Sequence, residues 1–248
     1  MIQIGGSNVS EQAGGGFSCL TSCSGSFAQD GGVVTAGGVT IGIGNGTGSY
    51  TISSGALNSF IDLGNTATGT FEHVGGTVTA GGMFIGNGGS GNGTYNLNGG
   101  TLNSGSFVLL GAFGTGTITQ NAGDHNAQQL LLGSEAGGNG FYNLNDGALT
   151  IGSGTTDQLV VGHNGTGTFK MTGGTLVIQN QDINTAAFVV GNNSGAVGTF
   201  TQSGGAVDGG RALAIGLNGG TGTYNLNTDT VNLSTPTLTT GFIALGNN

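Results

Sequence analysis

Tryptophan is absent from the 248 residues, proline occurs once, at Pro236, and the only two basic side chains are Lys170 and Arg211. Each shortage excludes a class of protein. Nucleic-acid binding needs clustered cations to displace counterions from phosphate, and two isolated ones against a net charge of −9 do not supply them. Docking on anionic lipid fails for the same reason. No apolar run approaches the length of a membrane span, so no membrane insertion is expected. Glycine supplies 58 residues, but the scarcity of proline and the lack of a Gly-X-Y triplet exclude collagen. With 35% hydrophobic and 5% charged residues, the composition is not that of a disordered chain either. Met1-Ile2-Gln3-Ile4 carries no signal-peptide pattern, as expected of a mature chain or of a segment from a longer precursor.

What is present is a repeat. A glycine, a small residue and an aromatic recur at Gly25-Ser26-Phe27, Gly48-Ser49-Tyr50, Gly69-Thr70-Phe71, Gly93-Thr94-Tyr95, Gly140-Phe141-Tyr142, Gly167-Thr168-Phe169, Gly198-Thr199-Phe200 and Gly222-Thr223-Tyr224, with Gly116-Thr117-Ile118 as the aliphatic variant. The steps are 23, 21, 24, 23, 24, 27, 31 and 24 residues, so two small insertions follow Thr150 and Val177. Each repeat holds three strand-like pieces; in one they are Thr94–Asn98, Thr101–Asn103 and Phe107–Leu110. Polar and apolar residues alternate along the first piece, the period of a half-buried strand. So short a repeat cannot bury its own apolar face and must stack on its neighbours. The expectation is an all-β fold, a right-handed, single-stranded parallel β-helix of about ten coils, forming one domain over 1–248. Residues 1–24 would form an irregular first coil and 25–248 the regular repeats.

Three inward ladders follow. The first is aromatic: Phe27, Tyr50, Phe71, Tyr95, Ile118, Tyr142, Phe169, Phe200 and Tyr224. The second precedes the glycine that closes each coil: Ile4, Ile43, Leu63, Ile85, Leu110, Leu132, Val161, Val190, Ile215 and Leu245. The third lies two residues earlier: Ile2, Ile41, Ile61, Met83, Val108, Leu130, Leu159, Phe188, Leu213 and Ile243. A finer rhythm spans two coils. Those with Phe or Ile in the aromatic ladder carry Gln29, His73, Gln120 or Gln202 two residues on; those with Tyr carry Ile52, Leu97, Leu144 or Leu226. Phe169-Lys170-Met171 breaks the rhythm. A buried Gln needs hydrogen-bond partners, expected among corner backbone groups.

Gly93-Thr94-Tyr95-Asn96-Leu97-Asn98-Gly99-Gly100-Thr101-Leu102 and Gly198-Thr199-Phe200-Thr201-Gln202-Ser203-Gly204-Gly205 resemble the β-strand repeats of bacterial autotransporter passengers and of PEP-CTERM-type surface proteins. The resemblance covers about Gly25 to Asn248. It implies secretion and a cell-surface or matrix role, and it brings no catalytic residues.

No constellation points to catalysis. The 11 acidic residues are scattered along the repeat, and Lys170 and Arg211 fall in different columns, so no enzyme activity and no cofactor is expected. A polysaccharide-active β-helix enzyme is the remote alternative. His73, His125 and His163 do not share a metal-ligand spacing, and no metal site is expected; His73 sits in an inward column as a core residue. Asn45, Asn65, Asn87, Ser134, Asn192 and Asn247 follow the closing glycines, where stacked amides can bond along the axis. Cys19 and Cys23 are the only cysteines and, in a secreted chain, a candidate disulfide, within the coil or between subunits.

Two features suggest assembly. An outward column of the third strand is apolar, and Phe60, Phe84, Phe107, Leu109, Leu131, Val160, Val189 and Phe242 are the candidate lateral interface, expected to be covered by a neighbouring subunit or another part of a longer chain rather than by this chain's own insertions, which look too short and polar. Met1–Gly5 and Phe242–Asn248 both look like third strands without caps, making Ile2, Ile4, Ile243 and Leu245 a candidate end-to-end interface, although a segment of a longer solenoid would have the same ends. The expected function is a secreted structural subunit of an extracellular filament or surface matrix, with further copies of itself as the partner. The alternative is an adhesin passenger segment whose outward Thr and Asn rows contact glycans or a cell surface.

Overall fold

The computed structural model describes residues 24–152, 154–180, 182, 186–227 and 236–247, together with the backbone of 2–4. All regular structure among them is β, in 22 strands, and every strand pairing is parallel. Each strand pairs with the strands one coil before and one coil after it, which makes the fold a parallel β-solenoid of about eight turns. The chain passes through three columns per turn. The first includes Asn92–Leu97, Thr115–Gln120, Asn139–Leu144 and Thr166–Met171; the second includes Ala148–Ile151 and Thr175–Ile178; the third includes Gln158–Val161 and Phe188–Val190. In earlier coils the second and third columns run on as one bent strand, as in Thr101–Leu110 and Asp124–Leu132. The expected ten coils counted every third-column strand as a turn, but Ile2–Ile4 has no described first- or second-column strand in its own coil.

The repeat signature has a steric cause. At the corner between the third and first columns, two backbone segments meet back to back. Gly111 takes φ 63°, and a Cβ there would lie 2.2 Å from the carbonyl of Asn139; a Cβ on Gly116 would lie 2.1 Å from the carbonyl oxygen of Ile85. Only a residue without a side chain fits on either side. The same geometry corrects the register of the first regular coil. Ile41, not Ile43, pairs with Leu63, and Val39, not Ile41, pairs with Ile61. Gly42 is the residue that closes this coil, since a Cβ there would lie 2.3 Å from the Thr68 carbonyl oxygen, whereas Gly44 faces open space.

The interior is one continuous cluster. Tyr50, Phe71, Tyr95, Tyr142, Phe169 and Phe200 are fully buried, each worth roughly 1.5–3 kcal/mol of transfer free energy. In-register parallel strands repeat about every 4.8 Å, so rings in one column must stack at that spacing. They do, at 4.7 Å for Phe71–Tyr95, 4.9 Å for Tyr142–Phe169 and 4.6 Å for Phe169–Phe200.

Candidate functional site

The interior carries a polar thread with a definite proton order. Each Tyr hydroxyl reaches the Gln or His of the preceding coil. Tyr50 donates to Gln29 Oε1 at 2.6 Å, Tyr142 to Gln120 Oε1 at 2.6 Å and Tyr224 to Gln202 Oε1 at 2.7 Å. The amide nitrogens then cap corner carbonyls: Gln120 Nε2 bonds Gly123 O and Ala148 O, and Gln202 Nε2 bonds Gly205 O and Thr237 O. The two-coil rhythm of the sequence is thus a module in which a buried amide and a buried phenol satisfy each other. His73 substitutes for Gln: Nε2 donates to Gly76 O, leaving Nδ1 to accept from the Tyr95 hydroxyl at 2.9 Å.

His125 is also buried in this thread, in the second-column position that Leu102 and Leu149 occupy in adjacent coils. Tyr142 spends its proton on Gln120, so its oxygen accepts from His125 Nδ1–H at 3.0 Å; Nε2 is bare and accepts from the Ser104 hydroxyl at 3.0 Å. Burial, with His73 a secondary cause, pushes the His125 imidazole down to about 3, and burial pushes the Tyr95 and Tyr142 phenols well up. So weak a base, sealed from solvent, orders the core and does not abstract a substrate proton at neutral pH. His125 was legible as an inward residue by aligning Asp124-His125-Asn126 with Thr101-Leu102-Asn103; the spacing of the histidines alone hid it.

The outward column of the third strand is not bare along its length, and this corrects the expectation. Leu131, Val160 and Val189 are buried and form a second apolar cluster with Ala214. Ala186, from the insertion after Val177, and Leu217, at the end of the strand Ala212–Leu217, pack against them, so the chain covers these residues itself. Leu109 is half-buried at the cluster's edge. The aromatic half of the candidate interface remains at the surface. Phe60, Phe84 and Phe107 are half-buried and meet edge-on at centroid distances of 5.4–6.2 Å, with two of the rings lying over Gly82, whose missing side chain makes their seat. Phe242 is exposed.

At the last described coil the inward ladders come to the surface. Leu226 is 51% exposed, Ile243 50% and Leu245 73%, whereas Leu144, Leu159 and Leu132 at equivalent positions are fully buried. Ile2 and Ile4 lie on a strand paired with Val39–Ile41, with their side chains outside the described residues. Cys19 and Cys23 lie outside them as well.

Axial amide ladders form, though not only where the closing glycines predict. Asn87 and Asn65 both donate to Asp62, and Asn218 donates to Asn192. A longer ladder, Asn98–Asn121–Asn145, runs on to Thr172 beside another corner. Among the described residues no three His, Cys, Asp or Glu side chains come together to hold a metal ion, and no helix is long and apolar enough to cross a membrane.

The insertion after Thr150 shapes the surface beside it. It walls a groove of about 680 Å³ at the corner between the second and third columns, floored by residues of successive coils, among them Asn103, Asn126 and Thr150. The wall is held by Gln129 Nε2 on Thr156 O at 3.1 Å and by Asn180 Nδ2 on Asp157 O at 2.8 Å. The groove was hidden from sequence reasoning because its floor is gathered from several coils and its wall is fixed by Gln129 and Asn180, both distant from it in the chain.

No protein-family model, no curated protein and no solved structure matches this chain.

Proposed function

We propose that the chain is a structural building block, a secreted β-solenoid of right-handed winding that assembles with copies of itself into an extracellular filament or surface matrix. The role is non-catalytic. The observation that carries the reading is the half-buried aromatic patch of Phe60, Phe84 and Phe107, apolar surface that the fold leaves on the outside of the third column. In this reading copies also stack end to end, with Ile243 and Leu245 of one copy set against the next. The Phe60–Phe84–Phe107 patch and Phe242 supply lateral contacts of the kind that aromatic anchors make. The resemblance to autotransporter-passenger and PEP-CTERM-type repeats supports the extracellular location.

The test is sedimentation velocity with electron microscopy of the purified chain. Large assemblies and rods of uniform width are expected, and a double variant, Ile243→Lys with Leu245→Lys, should return the material to single chains with the fold intact by circular dichroism. A wild-type protein that remains monomeric at high concentration refutes the reading.

A further inference from the structure

The walled groove suits a ligand of definite chemistry. Its free polar atoms are neutral and alternate in kind. Asn126 Nδ2 donates to Asn103 Oδ1 at 2.9 Å, which leaves the Asn103 amide nitrogen and the Asn126 carbonyl oxygen to the groove. Gln128 and Gln179 are exposed along it, and Thr150 and Thr156 add hydroxyls. Asp157 is the single acid of the lining; it is buried, and its carboxylate accepts the backbone N–H of Gly154 at 2.9 Å. No cation lines the groove, so an anionic ligand has no counter-charge there. The strands of the floor are paired on both sides, so an extended peptide finds no edge to join. What remains is a molecule rich in uncharged hydroxyls. A carboxamide presents a donor and an acceptor side by side, the pair that two vicinal hydroxyls match.

We propose that this groove binds a segment of neutral oligosaccharide lying along the solenoid axis. Asn103, Asn126 and Thr150 pair in register on three successive coils and span about 10 Å at strand spacing, and Gln179 follows on the fourth coil, two residues past the Val177 that pairs with Thr150. Their repeat is close to the length of one sugar ring, so successive residues of a glycan chain meet successive coils in register. The hydrogen bonds that fix the wall preform the groove, so binding does not have to order a loop. This inference is independent of the assembly reading.

The experiment is a titration of the full chain with uncharged gluco-, xylo-, manno- and N-acetylglucosamine oligosaccharides, followed by amide chemical shifts and calorimetry. Oligogalacturonate and a neutral oligopeptide serve as comparators. At least one neutral series should shift the resonances of 103–105, 126–128 and 150–157, with affinity rising as the chain lengthens to span the groove. Asn126→Ala and Gln128→Ala should each weaken binding about tenfold, on the order of one lost hydrogen bond to a neutral group. Asn145→Ala, on the ladder at another corner, should leave it unchanged. All three side chains are exposed, so the melting temperature reports whether the fold is kept. The proposal is overturned if no neutral series shifts those resonances at millimolar concentration, if the two groove variants bind as the wild type does, or if uronate or peptide binds in preference.

Discussion

The step from Gln120 to Tyr142 and the step from Met171 to Phe200 use the same backbone and opposite chemistry. In the first, a phenol of one coil is bonded to an amide of the coil before, and that amide is bonded in turn to two corner carbonyls. In the second, Phe200 stacks on Phe169 at 4.6 Å beside the fully buried Met171, which has no polar atom to offer. Stacked rings on a parallel column tolerate a range of offsets, whereas a buried hydroxyl has one acceptor within reach. The polar step therefore specifies which coil follows which, and the apolar step only fills space. The apolar step is also where the repeat is longest, 31 residues against 21–24 in most others, so variation in loop length is accommodated where the core is least particular.

The comparison breaks most directly at Gln120. Gln120→Ala removes side-chain volume, leaves the buried Tyr142 O–H without its acceptor, and takes one hydrogen bond from each of the Gly123 and Ala148 carbonyls. The cavity and the lost hydrogen bonds together should cost about 3–5 kcal/mol. Met171→Ala leaves a cavity but no orphan, and should cost about 1–2 kcal/mol less. Urea unfolding followed by circular dichroism gives both values. A larger loss at Met171 would mean that the polar module does not organise the core.

Acid sharpens the same contrast, because only the polar thread can titrate. His125 is held neutral in the folded chain, with its imidazole pushed down to about 3 from the usual 6.5. Between those two values the unfolded chain binds a proton that the folded chain refuses, so stability falls as pH drops below about 6.5 and the loss is complete near 3. His125 alone accounts for up to about 5 kcal/mol of that loss. His73, also pushed down by burial, adds to it in the same direction. His125→Leu, which restores the residue type of Leu102 and Leu149, should flatten most of the acid limb while leaving neutral-pH stability within about 1–2 kcal/mol of wild type. A wild-type chain whose denaturation midpoint is the same at pH 7 and pH 4 contradicts the buried-imidazole assignment.

Much of this was legible in the chain itself, for identifiable reasons. The burial of Tyr95 and Tyr142 follows from alternation within a strand and from the glycine two residues ahead. That Gln29, Gln120 and Gln202 need partners, and that corner carbonyls supply them, follows from the cost of burying an amide. That a Tyr hydroxyl completes the set does not follow, because it depends on a one-coil offset that a repeat alignment does not display. Gly42 and Gly44 look alike in sequence; only the approach of Thr68 distinguishes them. The burial of Val160 and Val189 depends on Ala186 and Leu217, and the groove depends on a wall fixed by Gln129 and Asn180. Periodicity sees what every coil shares, and these features arise where one coil departs from the rest.

The smallest effect tests the module most selectively. Met171→Gln alone places an amide where no phenol reaches it, and Phe200→Tyr alone places a hydroxyl over a thioether. Each should destabilise by about 1–3 kcal/mol, the cost of an unsatisfied buried group. Combined, the two changes rebuild in these coils the pair that Gln202 and Tyr224 form one coil later, with the Gly174 carbonyl standing where Gly123 serves Gln120 and Gly205 serves Gln202. The double variant should then be more stable than the sum of the singles by about 1 kcal/mol or more, read as the interaction energy of a double-mutant cycle. Phe188 sets the condition for success, because its ring lies edge-on to Phe200 at 5.3 Å and borders the space the new hydroxyl enters. Additive singles would mean that the amide–phenol pair depends on its local surroundings and is not portable between coils. A positive coupling would mean that the pair alone is enough to fix one turn of the solenoid upon the next.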